Sequence, residues 1–283
     1  MKINSVGILG AGLMGRGIAQ VCALAGFNVH LVDVSQAQLQ RGLESITTSL
    51  DKSVAKGALT AEARNDTVER IEASTSQESL ERADLIIEAA TENLELKLRL
   101  LSEVEKRASA HALIASNTSS ISITQLGAVL SRPERFIGMH FFNPVPSMGL
   151  VELIPGLQTD DSVLQAAQGF VEALGKTGIV VRNSPGFVVN RILCPMLNEA
   201  IFVLGEGLAS AEAIDAGMKL GCNHPVGPLA LADMVGLDTL LSVLQIFYDG
   251  FNDPKYRPAP LLKELVAAGH LGRKAGRGFF SYS

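Results

Sequence analysis

Short apolar runs alternate with longer amphipathic stretches up to about residue 183, and beyond that point only the amphipathic stretches continue. The runs predict strands at Ser5 to Gly10, Asn28 to Asp33, Ala83 to Ala90, Ala112 to Ser116, Arg135 to Phe142, Leu150 to Ile154 and Thr177 to Arg182. The intervening 3.6-residue periodicity predicts helices from the Gly10–Gly15 loop to about Ala25, from Thr91-Glu92-Asn93 (a capping sequence) to about Ala108, and from about Asp160 to Leu174. Residues 36 to 70 are long and helical without a strand, which predicts an insertion of two helices projecting from the sheet. After the break at Asn183-Ser184-Pro185-Gly186, helices are predicted at Phe187 to Gly205, Ser210 to Leu220, Pro228 to Phe247 and Pro260 to Ala268. Strands alternating with helices imply an α/β domain with a largely parallel sheet over residues 1–184. An all-α domain over residues 185–283 follows it.

Gly10-Ala11-Gly12-Leu13-Met14-Gly15 lies between the first strand and the first helix, and Asp33 closes the second strand. Glycine triplets occur by chance, but this placement is that of a Rossmann-type dinucleotide site in a doubly wound sheet. Missing β-carbons let the backbone approach a pyrophosphate, which free amides and the positive helix end then receive. Asp33 would accept hydrogen bonds from an adenine-ribose diol. A 2'-phosphate would face its carboxylate, and Val34, Ser35 and Gln36 supply no cation. NAD is therefore expected over NADP.

Composition narrows the field. A net charge of -5 with scattered Lys and Arg gives no footprint for nucleic acid. No run approaches the roughly 18 apolar residues of a membrane span, and the start has no signal-peptide pattern. The 3 cysteines are far apart, and Cys222 with His224 makes a poor zinc site, so no metal is expected. Cytoplasm fits these features. With 47% hydrophobic residues the chain is apolar enough to suggest a buried subunit interface.

His140 is the candidate for chemistry. It stands in an otherwise apolar strand, Met139-His140-Phe141-Phe142-Asn143-Pro144, and a short turn joins that strand to the one bearing Glu152. Adjacent strands would bring the two side chains within reach. A carboxylate between Val151 and Leu153 is costly to bury unpaired, and pairing would steady the charge His140 acquires as a general base. Phe141 and Phe142 would wall the site. Ser119, after the strand ending at Ser116, falls at the sheet edge where ligands sit. Asn190 opens the first helix of the second domain, where it could face a cleft. Lys52 and Lys56, four residues apart, share a helical face that is either solvated or a phosphate contact.

In order and combination, the glycine loop, Ser116-Asn117-Thr118-Ser119-Ser120, Met139-His140-Phe141-Phe142-Asn143-Pro144 and Pro185-Gly186-Phe187-Val188-Val189-Asn190-Arg191 resemble the 3-hydroxyacyl-CoA dehydrogenases along the whole chain. The compact length is most like the family's bacterial 3-hydroxybutyryl-CoA members. The resemblance implies NAD as cofactor and an acyl-CoA thioester as substrate, and a homodimer formed through the C-terminal helical domain. By it, His140 and Glu152 are the catalytic pair, and Ser119 and Asn190 the substrate contacts. It places Glu92, Lys97, Asn117 and Asn143 with the cofactor, beside Gly10, Gly12, Leu13, Met14, Gly15 and Asp33, and assigns Lys52 or Lys56 to coenzyme A. Cys222-Asn223-His224 and Phe280 depart from the family's usual pattern without touching this chemistry. A sugar-acid dehydrogenase such as an L-gulonate 3-dehydrogenase, and a non-catalytic crystallin, are the competing readings.

Overall fold

The computed structural model describes residues 2–282, which divide into two units between Asn183 and Ser184. The first contains β1 (Ser5–Leu9), α1 (Leu13–Leu24), β2 (Asn28–Val32), α2 (Gln36–Ala55), α3 (Ala61–Glu69), β3 (Ile71–Ser74), β4 (Leu85–Glu88), α4 (Leu94–Arg107), β5 (Leu113–Ser116), α5 (Ile123–Gly127), β6 (Phe136–Phe141), β7 (Leu150–Pro155), α6 (Asp161–Ala173) and β8 (Thr177–Val180). The eight strands form one sheet in the order β3-β2-β1-β4-β5-β6-β7-β8. All neighbours are parallel except β6 and β7. The chain reverses its direction of travel across the sheet between β1 and β4, so the loops after these strands flank a switch point where ligands are received.

The central strands are short and fully buried, as in Leu85-Ile86-Ile87 of β4, because helices cover a parallel sheet on both faces. The predicted insertion is two helices, but α2 does not stand clear of the sheet. Leu39, Gly42, Ile46 and Leu50 form a buried stripe at helical spacing, and Leu39, Ile46 and Leu50 join the sheet's apolar core. Lys52, in the last turn, and the cap residue Lys56 are exposed. The edge strand β3 had no signal in the pattern, since Ile71-Glu72-Ala73-Ser74 is half-exposed and carries a single large apolar side chain.

The second unit is helical: α7 (Val189–Gly205), α8 (Ala211–Gly221), α9 (Pro228–Val235), α10 (Leu237–Phe251) and α11 (Pro260–Ala267). They close on a core that includes Leu197, Ile201, Leu229, Leu240, Leu244 and Phe247. The single helix expected from Pro228 to Phe247 is in fact two, bent by 95°. The hinge is Gly236, whose φ of 97° a side chain would resist. The Leu237 amide donates to the Leu271 carbonyl at 3.3 Å instead of to the preceding helical turn. Buried Asp233 accepts from the amides of Phe279 and Phe280, both at 3.0 Å, and from the Tyr282 hydroxyl at 2.8 Å. No single helix among the described residues is long and apolar enough to cross a membrane.

Candidate active site

The glycine loop is shaped by contacts that exclude side chains. Gly10 has φ 106°, and a β-carbon there would stand 2.8 Å from the Ala89 carbonyl; one on Gly15 would stand 1.8 Å from the Gly10 carbonyl. These two glycines therefore set how closely α1 and β4 approach the loop. Gly12 caps α1 without a side-chain hydrogen bond, leaving the first helical amides to a ligand. Asp33 is oriented by backbone alone: its Oδ2 accepts from the Ala11 amide at 2.8 Å and its Oδ1 from the Ser35 amide at 2.9 Å. Gly10, Gly12, Asp33, Gln38, Ala90 and Leu96 line a cavity of about 340 Å³. Leu13 is half-exposed at the loop, while Met14 packs against the sheet core. The cradle, the helix end and the carboxylate fit a dinucleotide.

His140 and Glu152 lie directly opposite each other in the antiparallel β6–β7 pair, where side chains on one face come closest. The Nδ1–Oε2 distance is 2.7 Å. Glu152 is completely buried and His140 nearly so. An ionised carboxylate only accepts, so this contact fixes the proton on Nδ1 and leaves the basic lone pair of the neutral ring on Nε2. The Phe142 ring lies 4.5 Å from the imidazole, centroid to centroid, tilted by 55°. Phe141 points into the sheet core.

Between these features lies a charged network that begins below the surface. Glu88, at the end of β4, is completely buried and accepts from Lys97 Nζ at 2.8 and 3.0 Å, the Ala90 amide at 2.7 Å and the Ser116 hydroxyl at 2.6 Å. Lys97 was expected against the cofactor, yet it is 1% exposed. Its ammonium is spent on Glu88, the Ala90 carbonyl at 3.3 Å and Glu92 at 3.4 Å. The Glu92 carboxylate accepts from the hydroxyls of Thr118 (2.6 Å), Ser119 (3.2 Å) and Ser120 (3.0 Å) and from the amides of Ser119 (2.9 Å) and Ser120 (3.2 Å). Burial alone would raise the Glu92 pKa, but the Lys97 charge and these donors outweigh it and hold the group below the ordinary carboxylate value.

Asn117 Oδ1 accepts from the Phe141 amide at 2.9 Å, which ties the polar turn after β5 to the His140 strand. Asn143 is exposed in the turn after β6, where it lines a cavity of about 190 Å³ with Leu13 and Arg16. Sequence reasoning missed Lys176, whose Nζ donates to the Val145 and Met148 carbonyls, both at 2.7 Å, and so braces that turn. It also missed Glu88, although an acid closing an apolar strand nine residues before a lysine is a usable signal. Lys52 and Lys56 lie exposed one turn apart at the end of α2. The structure thus gathers the predicted residues of the first unit at the carboxyl edge of the sheet and on α2. Asn190 belongs to the second unit, in the first turn of α7.

Family models describe the same division. Residues 5–184 match the 3-hydroxyacyl-CoA dehydrogenase NAD-binding domain, and residues 186–282 the C-terminal domain of that family. The chain is 52% identical over 280 residues to the 3-hydroxybutyryl-CoA dehydrogenase of Bradyrhizobium diazoefficiens, covering 99% of this chain and 96% of the relative. It is 40% identical to the mitochondrial hydroxyacyl-coenzyme A dehydrogenase of Sus scrofa, covering 99% and 91%. The crystal structure of the (S)-3-hydroxybutyryl-CoA dehydrogenase PaaH1 from Ralstonia eutropha superposes with a TM-score of 0.97 at 59% identity, covering all of both chains.

Proposed function

The chain belongs to the 3-hydroxyacyl-CoA dehydrogenase family, and on that premise we propose that it interconverts (S)-3-hydroxybutyryl-CoA and acetoacetyl-CoA as an NAD-dependent oxidoreductase. The observation that carries the reading is the buried His140–Glu152 pair, on two adjacent strands of the same sheet whose carboxyl edge forms the dinucleotide cradle. NAD, when bound, supplies the hydride acceptor for oxidation, and its reduced form the donor for the reverse reaction. In the oxidative direction the neutral imidazole of His140 takes the proton of the 3-hydroxyl at Nε2. Glu152 holds the ring through Nδ1 and faces the positive charge as it develops.

Ser119 and Asn190 hold substrate oxygens. Glu92 and Asn117 order the turn that presents Ser119, Lys97 orients Glu92, and Asn143 contacts the nicotinamide end. Phe142 keeps water from the imidazole. Lys52 or Lys56 meets the phosphates of coenzyme A. Positioning of this kind lowers a barrier by several kcal/mol, and a general base adds roughly 10²- to 10⁴-fold.

His140→Gln tests the assignment: turnover with acetoacetyl-CoA should fall at least about 100-fold while the dissociation constant for NADH stays within about 2-fold, and near-normal turnover would end it. Gulonate oxidation measured beside acetoacetyl-CoA reduction separates this reading from a sugar-acid dehydrogenase. A homodimer formed through the helical unit in the cytoplasm completes the proposal. It is supported by the 77% and 88% exposure of Leu208 and Leu220 and by an apolar groove of about 420 Å³ lined by Met196, Val203, Ile214 and Met218. A monomeric mass by light scattering would sink the dimer.

A further inference from the structure

Beside Asp33 the fold places groups suited to the opposite cofactor preference. Helix α2 starts immediately after it, capped by Ser35, and has no acid in its first turn. Gln38 lines the same cavity as Gly12 and Asp33, with Nε2 3.9 Å from where a Gly12 β-carbon would stand. The Gln38 Oε1 accepts from Arg41 Nη2 at 2.7 Å. Side chains on a helix lean toward its N-terminus, and this contact shows the Arg41 guanidinium drawn back one turn onto Gln38, which lines the cavity. Arg41 is exposed, and the ion pairs among the described residues do not include it. Its recorded partner is a neutral amide. From Val34 through Arg41 every residue is neutral or positive, so Asp33 is the sole negative group on this stretch.

We infer that Gln38 and Arg41 form a latent receptor for a ribose 2'-phosphate, and that rejection of NADP rests on the Asp33 carboxylate alone. A 2'-phosphate carries about -1.5 to -2 charges near neutral pH. It meets a carboxylate already committed to the Ala11 and Ser35 amides, which cannot turn away. With that charge gone, the guanidinium is free to exchange its neutral partner for a phosphate, the better acceptor. The inference rests on the cavity being the cofactor site.

Dissociation constants of NADH and NADPH, titrated by nucleotide fluorescence on the full chain, test it. Asp33→Asn keeps one acceptor oxygen and removes the charge; it should tighten NADPH about 10-fold, the scale of one close charge pair. Adding Arg41→Met should return about 5-fold of that gain and flatten the salt dependence of NADPH binding. NADPH affinity that is unchanged in Asp33→Asn, or unaffected by Arg41→Met in that background, overturns the inference. Should Asp33→Asn fail to fold, Arg41→Met in the native chain decides: NADPH binding must weaken about 3-fold more than NADH binding, and equal effects overturn the inference. A native chain that binds no NADH would refute the cofactor reading instead.

Discussion

Replacing Lys97 by Met removes one partner of an ion pair whose members are 1% and 0% exposed. Glu88 would keep the Ala90 amide and the Ser116 hydroxyl, but its charge would have no counter-ion. Stranding a buried charge costs about 3–5 kcal/mol, or about 6–20 °C of melting temperature for a unit of this size at roughly 2–4 °C per kcal/mol. Glu88→Gln is milder. Lys97 then keeps Glu92 at 3.4 Å and the Ala90 carbonyl at 3.3 Å, and the loss is that of one charge-assisted hydrogen bond, about 1.5–3 kcal/mol. The double variant Glu88→Gln with Lys97→Met keeps a carbonyl acceptor for the Ala90 amide, and the Ser116 hydroxyl can turn to accept from the new amide NH2; with neither charge buried, it should be more stable than Lys97→Met alone. Urea unfolding of the four proteins measures all three differences. A Lys97→Met chain within about 1 kcal/mol of the parent, or a double variant less stable than it, would refute the reasoning.

Three further outcomes follow from the same geometry. The Glu92 carboxyl is held below its ordinary value in the fold, so the stability it contributes is complete above about pH 4.5, where the unfolded group titrates, and drains away as pH falls through the lower folded value; Glu92→Gln should flatten the acid side of the stability profile, and a parallel profile would count against the network. Gly15→Ala drives a methyl group to 1.8 Å from the Gly10 carbonyl, so NADH affinity should fall by more than about 10-fold, the effect of displacing a backbone cradle by even 1 Å; a normal dissociation constant in a folded variant would contradict the cradle. Charge removal at Lys52 or Lys56 should raise KM for the coenzyme A thioester about 2- to 5-fold at low salt and leave a truncated thioester without phosphates unaffected; equal effects on both substrates would remove these lysines from substrate recognition.

Where two groups are near in sequence or joined by a tight turn, the chain displays their relation openly. The glycine loop and Asp33 are of this kind, and so are His140 and Glu152, because a short connection forces their strands side by side. The hinge at Gly236 was hidden because apolar periodicity runs straight across it and one glycine does not forbid a helix. Strand β3 was hidden because an exposed edge needs no alternation. The partner of Lys97 was hidden for another reason: its spacing from Asn93 on α4 says where it lies along the helix, but only the fold shows that Glu88, at the end of β4, meets it.

Both fully buried acids at this edge are paired with one buried basic side chain. Glu152 touches the imidazole of His140 on its Nδ1 side; Glu88 touches Lys97, and Lys97 reaches Glu92. Burial makes each acid dependent on its partner, since an isolated carboxylate in that environment is costly, and the same dependence locks the partner's orientation. Glu88, Lys97 and Glu92 together carry one net negative charge, delivered at the only partly exposed member, Glu92, under the Thr118 to Ser120 turn. A short carboxylate directly at that turn would have to be held by solvent-exposed bonds. Anchored through Lys97 to the end of β4, Glu92 inherits the rigidity of the sheet, and the five donors that converge on it hold Ser119 at the carboxyl edge from which His140 also projects.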